Sequence, residues 1–247
     1  MNIEKKLSAA IKTFWTTRSR QAKAQGSKTG RKDSGARAAV TGGAQMDGFV
    51  NLVRALIVEA GIPDPSVFCR KAAKLPGYFR PHKEWDLVVV VKDRLLASIE
   101  FKSHIGSFGN NFNNRTEEAL GNALDVRTAY REGVFAPSSD PWLGYLMLLE
   151  DSPRSTTQKR QRTRHFSVME EFRHVSFADR YELLLKKLVR ERLYDSACLV
   201  MSSQKEGKRG EYREPNEELA FKNFAASLIG KITGFVKTSD QSKLLSP

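Results

Sequence analysis

Apolar residues recur at helical spacing near the start of the chain, where Leu7, Ile11, Phe14 and Trp15 fall on one side of a helix over residues 3–24. Residues 26–43 lose that periodicity and become polar, basic and glycine-rich, which predicts a connector able to order on a ligand. A second helix starts near Asp47, turns Phe49, Leu52, Val53, Leu56 and Ile57 inward, and stops at Gly61-Ile62-Pro63. Residues 76–84 are turn-rich. Four segments dense in Val, Leu, Ile and aromatic residues then predict strands at 85–91, 95–102, 142–149 and 196–201. Helices are predicted at 115–131, 179–193 and 216–235. The order is that of an α/β (α+β) fold, a mixed sheet flanked by helices. No internal repeat or sharp composition break divides the 247 residues, which read as a single domain, 1–247. Within it, a basic N-terminal helix and flexible arm (1–40) precede a core (41–200) and a C-terminal loop and helix (201–247).

The hairpin carries the most informative pattern. Its strands, WDLVVVV and LLASIEF, are separated by Lys92-Asp93-Arg94. A three-residue loop pairs Val91 with Leu95 and sets Asp86 opposite Glu100. Side chains alternate along a strand, so Lys102 shares the face of Glu100. Trp85, Leu87, Val89, Val91, Leu95, Ala97, Ile99 and Phe101 make up the other face, all apolar. A one-residue slip would mix the two sets, so the pattern supports the register.

Two carboxylates ~5 Å apart across a ladder repel unless a cation joins them. Hard Mg²⁺ suits such oxygens. A neighbouring lysine can position or deprotonate water and offset charge on a phosphate, so the trio is an assembly for phosphodiester hydrolysis. The bland alternative is a surface hairpin in which Lys102 makes a cross-strand salt bridge, because D-x13-E-x-K alone is a weak pattern.

Ser103 to Arg115 follows, with Asn110, Asn111, Asn113, Asn114 and Arg115 close together. Asn can bond adenine, and Arg guanine, in a bidentate manner. The same asparagines could instead satisfy a turn or cap the helix expected near Arg115. Beside a catalytic face, DNA contact is the favoured reading.

Charge changes the picture further. The chain holds 41 Lys and Arg against 28 Asp and Glu, a net of +13, which argues for a polyanionic partner. Residues 1–40 carry a net +8, residues 41–150 a net −1, and residues 151–213 a net +6. Basic flanks around a near-neutral centre suit double-stranded DNA held at its phosphates. Lys28, Arg31, Lys32 and Arg37 of the arm, and Arg160, Arg162 and Arg164 of a basic loop, are the candidates. No apolar run is longer than Leu87 to Val91, far below the ~20 residues that span a bilayer. With no basic-then-apolar leader and two cysteines without CxxC spacing, a cytoplasmic protein with no membrane association is expected. The four histidines show no metal-binding grouping, and no glycine-rich phosphate loop opens a βαβ unit.

Asp86, Glu100 and Lys102 resemble the PD-(D/E)xK nuclease signature, with Trp85 where the short form has proline. The stretches GG-x-x-MDGF (Gly42 to Phe49), PGYFRP-x-K-x-WD (Pro76 to Asp86) and EFKSH-x-G-x-FGNNFNNR-x-EEA-x-G (Glu100 to Gly121) are similar to the XhoI family of type II restriction endonucleases. The resemblance covers roughly residues 40–190. It implies the PD-(D/E)xK core, a homodimer, and Mg²⁺-dependent cutting of CTCGAG after the first C, leaving 5′ overhangs and 5′-phosphates. It also implies a companion DNA methyltransferase in a bacterial cell. By carry-over, Asp86, Glu100 and the Phe101 carbonyl hold the metal, and Lys102 serves the attacking water. Glu59 is the candidate third acid, with Asp47 competing, and Glu117 and Glu118 remain open between an exposed face and a cytosine contact. A structure-specific or repair nuclease and a non-catalytic DNA-binding protein are the alternative classes.

Overall fold

The structure is a computed structural model describing residues 2–29 and 44–239. Arg31, Lys32 and Arg37 lie outside the described residues, as do the side chains of Lys28 and Asn110.

The amphipathic start becomes helix α1 (Ile3–Thr29), longer than its apolar spacing predicts, and helix α2 (Asp47–Glu59) packs against it. Leu7, Ile11, Phe14 and Trp15 are all at most 2% exposed, so the first half of the expected N-terminal arm is core. The next elements are strands β1 (Val67–Cys69), β2 (Lys74–Pro76), β3 (His82–Glu84), β4 (Leu87–Val91) and β5 (Arg94–His104). Helix α3 (Phe108–Arg131), strand β6 (Trp142–Glu150), the short strands β7 (Lys159–Arg160) and β8 (His174–Val175), and helix α4 (Phe177–Arg190) follow. Strand β9 (Ser196–Ser202) and helix α5 (Phe221–Thr238) complete the described order. The main sheet runs β1-β4-β5-β6-β9, antiparallel through β5 and parallel beyond it. Sequence patterning finds its four longer strands but misses β1 and the β2–β3 hairpin.

Helices cover both faces. On one side Phe49, Leu52, Val53 and Leu56 of α2 join Leu87, Val89, Ile99 and Phe101 of the hairpin. Phe221, Phe224, Leu228 and Ile232 bring α5 onto the same face, so the last helix covers the sheet. Trp142 meets Phe224 edge-on at 5.3 Å and donates from its indole nitrogen to Ser227 Oγ at 2.9 Å. On the opposite side Ala119, Ala123 and Val126 of α3 and Tyr181, Leu185 and Leu188 of α4 pack on Val88, Tyr145, Met147 and Leu199. The capping box Ser176/Asp179 opens α4, with Asp179 N donating to Ser176 Oγ at 3.1 Å.

Two expectations for the hairpin need correction. Its loop has two residues, Lys92 and Asp93, both with positive φ (49° and 60°), as a tight hairpin turn requires. Val91 therefore pairs with Arg94, and a bulge between Val89 and Val90 absorbs Leu96. Beyond the bulge Leu87 faces Ile99 and Val89 faces Ala97, which is the expected register. The bulge moves Leu95 to the side of Val88 and α3, while Leu96 joins Ala97 in the other core. Trp85, expected on the face of Leu87, lies before β4 begins and also packs in the α3 core. The face bearing Glu100 is therefore not an open surface but lies under α3.

Helix α3 also begins earlier than expected. Asn110, Asn111, Asn113, Asn114 and Arg115 occupy its first turns rather than a preceding loop. Phe108 and Phe112, one turn apart, pack on Phe177 (5.4 Å) and Tyr181 (5.0 Å), and this burial outweighs the poor helix propensity of the asparagines.

Candidate active site

Asp86 stands immediately before β4, where its Oδ2 accepts the Phe101 backbone N–H at 2.7 Å. That bond ties the first carboxylate to the strand carrying the second. Glu100 is 1% exposed, and its Oε2 meets Lys102 Nζ at 2.7 Å. Lys102 Nζ stands 3.9 Å from Asp86 Oδ2. The structure thus brings the three predicted residues together on one face.

Two further residues complete the surroundings of Glu100. Lys83 of β3 pairs with Glu100 Oε1, and its ammonium lies 4.4 Å from the centroid of the Trp85 ring. Asn122 of α3 donates from Nδ2 to the same Oε1 at 3.2 Å. Sequence reasoning gave neither a role. Lys83 is visible as the lysine of PGYFRP-x-K-x-WD, but its partner lies 17 residues away across a turn. Asn122 has no local signal at all.

The electrostatics divide the two acids. Burial, then the nearby Glu100 charge, pushes the Asp86 carboxyl up to about 6. Burial also works against the Glu100 charge, yet Lys102 and Lys83 overcome it and hold the carboxyl down to about 2. Burial disfavours the Lys102 ammonium, but Glu100 and Asp86 carry it above its ordinary value. A buried carboxylate between two ammonium groups is poor evidence for stability, because desolvation cancels much of the attraction. It is the arrangement expected where a fixed charge serves chemistry.

The donor set fits a hard divalent cation. Asp86 is 39% exposed at the mouth of a cleft of ≈ 670 Å³ lined also by Asp47, Arg70, Lys71, Glu84 and Trp85. Among the described residues no group of three or more His, Cys, Asp or Glu side chains is placed to hold a metal. Water and substrate oxygens would complete the shell around Asp86, Glu100 and the Phe101 carbonyl, as Mg²⁺ prefers. Glu59 does not join them: it pairs with Lys6 of α1 at 2.5 Å, at the opposite end of α2 from Asp47. Asp47 reaches the cleft but is engaged by Arg70 at 2.6 Å. The helix-borne third acid is not supplied by Glu59.

Asn111, Asn113 and Asn114 are exposed on the first turns of α3. Arg115 is half-buried and bonded to Glu118 at 2.6 Å, so both are already paired. The start of α3 and the basic loop share a cleft of ≈ 500 Å³ lined by Ser107, Phe108, Gly109, Arg154, Thr157 and Lys159. Arg160, Arg162 and Arg164 are exposed just beyond it. His104 is buried, with Nδ1 2.6 Å from Tyr181 Oη, and burial lowers its imidazolium to about 4. No described helix is long and apolar enough to cross a membrane.

Comparison with known proteins gives a consistent result. The family model for restriction endonuclease XhoI matches residues 25–214. Type II restriction enzyme BstVI of Geobacillus stearothermophilus is 51% identical over 204 residues, covering 80% of this chain and 91% of that protein. Type II restriction enzyme XhoI of Xanthomonas vasicola is 42% identical over 182 residues, 72% of each chain. Type II restriction enzyme AbrI of Azospirillum brasilense is 45% identical over 165 residues, 66% of this chain and 73% of its own. No solved structure matches significantly.

Proposed function

Because this chain belongs to the XhoI family of type II restriction endonucleases, we propose that it hydrolyses double-stranded DNA at CTCGAG. Cutting falls after the first C of each strand and leaves 5′ overhangs with 5′-phosphates. The convergence of Asp86, Glu100 and Lys102 inside the matched region is the observation that carries this reading.

Asp86, Glu100 and the Phe101 carbonyl would hold Mg²⁺, which would supply charge neutralisation at the phosphate. Glu100, kept ionised by Lys102 and Lys83, is the permanent anionic ligand, and Asp86 at the cleft mouth faces the substrate. Lys102 places its ammonium to orient the attacking water and to offset charge on the phosphate in the transition state. Asn111, Asn113 and Asn114, with Arg115 once freed from Glu118, read base edges. The residues of the basic loop and of the N-terminal arm hold phosphates. A palindrome is most simply read by two copies related by a two-fold axis, so the active species is a homodimer. A companion DNA methyltransferase protects the same sequence in a bacterial cytoplasm.

Digestion of a plasmid of known sequence with Mg²⁺, followed by mapping of the ends, tests the proposal. Discrete fragments ending in one 5′ overhang at CTCGAG are expected. Preference for branched substrates, or cleavage at unrelated sequences, would overturn it.

A further inference from the structure

The stretch PGYFRP-x-K-x-WD supplies Lys83 and Asp86 to the site, yet its middle, Gly77 to Pro81, takes no part there. These residues form the turn between β2 and β3. The turn is fixed from beneath by Asp125 of α3, which is 4% exposed. Its carboxylate accepts the backbone N–H groups of Tyr78 (2.8 Å) and Phe79 (2.9 Å) and Arg80 Nε (2.6 Å). Gly77 passes so close that a Cβ there would stand 2.6 Å from Asp125 Oδ2. Arg80 donates again to Asn122 Oδ1 at 2.8 Å, and Asn122 bonds Glu100. A continuous chain of charge-assisted and polar bonds therefore runs from the turn to a catalytic carboxylate.

While the backbone is tied down, two rings project outward. Tyr78 is 51% exposed and Phe79 65%, with ring centroids 4.8 Å apart and planes at 86°. Exposed aromatics on a backbone already ordered lose little entropy on binding. Arg70 to Lys83 contains five Lys or Arg and no Asp or Glu. Arg70, Arg80 and Lys83 are paired within the fold, and the exposed Lys71 and Lys74 of the same segment attract a polyanion. Duplex DNA meets both demands, with phosphates for the cations and base faces for the rings.

We propose that Tyr78 and Phe79 wedge against the base stack of the bound duplex, and that the Asp125–Arg80–Asn122 chain couples this seating to Glu100. Tyr78 and Phe79 contact substrate; Arg80 and Asn122 are positioning residues. The inference rests on the nuclease reading above.

Wild-type cleavage is mapped first, and the mapped sequence is placed in a probe duplex carrying 2-aminopurine at each position in turn. Absence of mapped cleavage removes the nuclease reading and this inference with it. Without Mg²⁺, wild-type protein should raise 2-aminopurine fluorescence at one step, and Tyr78→Ala/Phe79→Ala should abolish the rise. The double variant should cut at least tenfold more slowly, with an unchanged salt slope of affinity because no phosphate contact is lost. Phe79→Trp, which keeps a stacking ring, should restore signal and rate. Arg80→Ala should lower kcat at saturating DNA while leaving the fluorescence rise, and Arg80→Lys should recover part of it. A double variant with wild-type fluorescence and cleavage overturns the inference. So does one that turns a dimeric wild type into a monomer in sedimentation without DNA, which would make the pair a subunit contact.

Discussion

Two basic hairpins, one reaching the candidate active site through Lys83 and one running from β7 to β8, are held in different ways. The turn of residues 74–84 rests on a buried carboxylate that bonds two backbone N–H groups and a guanidinium. The segment from β7 to β8 carries Arg160, Arg162, Arg164 and an 85%-exposed Phe166. A two-residue ladder, the Gln161 N–H to Arg173 carbonyl bond (2.9 Å) and exposed ion pairs such as Arg173–Glu170 (2.7 Å) hold it. Charge alone ranks the second hairpin higher as a DNA-binding element. Bonding reverses the order where geometry matters: charge-assisted bonds to a buried carboxylate fix position, whereas exposed pairs contribute about 0–1 kcal/mol. On the proposed function, the first hairpin is the one to set the geometry of catalysis and the second the one to add affinity.

The largest expected effect lies in the site that the first hairpin supports. Asp86→Ala or Lys102→Ala should reduce plasmid cleavage by roughly 10²–10³-fold or more while gel shifts still show the specific complex. Normal nicking by these variants under Mg²⁺ would remove them from the chemistry. Next comes anchoring. Asp125→Ala leaves two backbone donors and Arg80 without their acceptor, and should lower stability by roughly 2–4 kcal/mol in urea denaturation. Glu170→Ala in the second hairpin should cost no more than about 1 kcal/mol. Equal losses would erase the distinction between the two.

Acid should separate the regions as well. His104 is neutral in the folded chain with its value lowered to about 4, so the unfolded chain takes up its proton first. Its contribution is complete above the unfolded value of about 6.5 and declines as pH falls toward 4, by at most about 3 kcal/mol. Burial opposes the Asp125 charge, but its backbone and Arg80 donors win and depress its value, so its contribution persists until pH falls below the ordinary carboxylate range. Hydrogen exchange near pH 5 should therefore show the α3 start around Phe108 loosening while the Tyr78 and Phe79 amides remain protected. The smallest effect per residue belongs to the basic loop. Arg160→Ala, Arg162→Ala and Arg164→Ala should each flatten the plot of log affinity against log salt by about 0.9 if they meet phosphates, without changing which sequence is cut.

Local pattern carried much of this architecture. The α1 and α2 faces, four strands and the register that brings Asp86 and Glu100 to one lysine all follow from periodicity in short windows. The bulge at Leu96 escaped notice because a three-residue loop and a two-residue turn plus bulge give the same register at the site. The start of α3 was hidden because glycine and asparagine locally favour a turn, and only contact with Phe177 and Tyr181 decides for helix. Lys83 and Asn122 were missed for a related reason. Their partner, Glu100, is brought to them by folding over 17 and 22 residues, and no spacing rule encodes that.

The bulge lets β5 carry a surplus residue without overturning the chemistry. Leu96 has no counterpart on β4, and the pairs on either side of it, Val90 with Leu95 and Val89 with Ala97, are those that an uninterrupted ladder would make. Deleting Leu96 would therefore close the ladder into regular alternation and leave Glu100 and Lys102 facing as they do now. The strand holds one residue in reserve, so a loss of length beside the turn need not reach the acids.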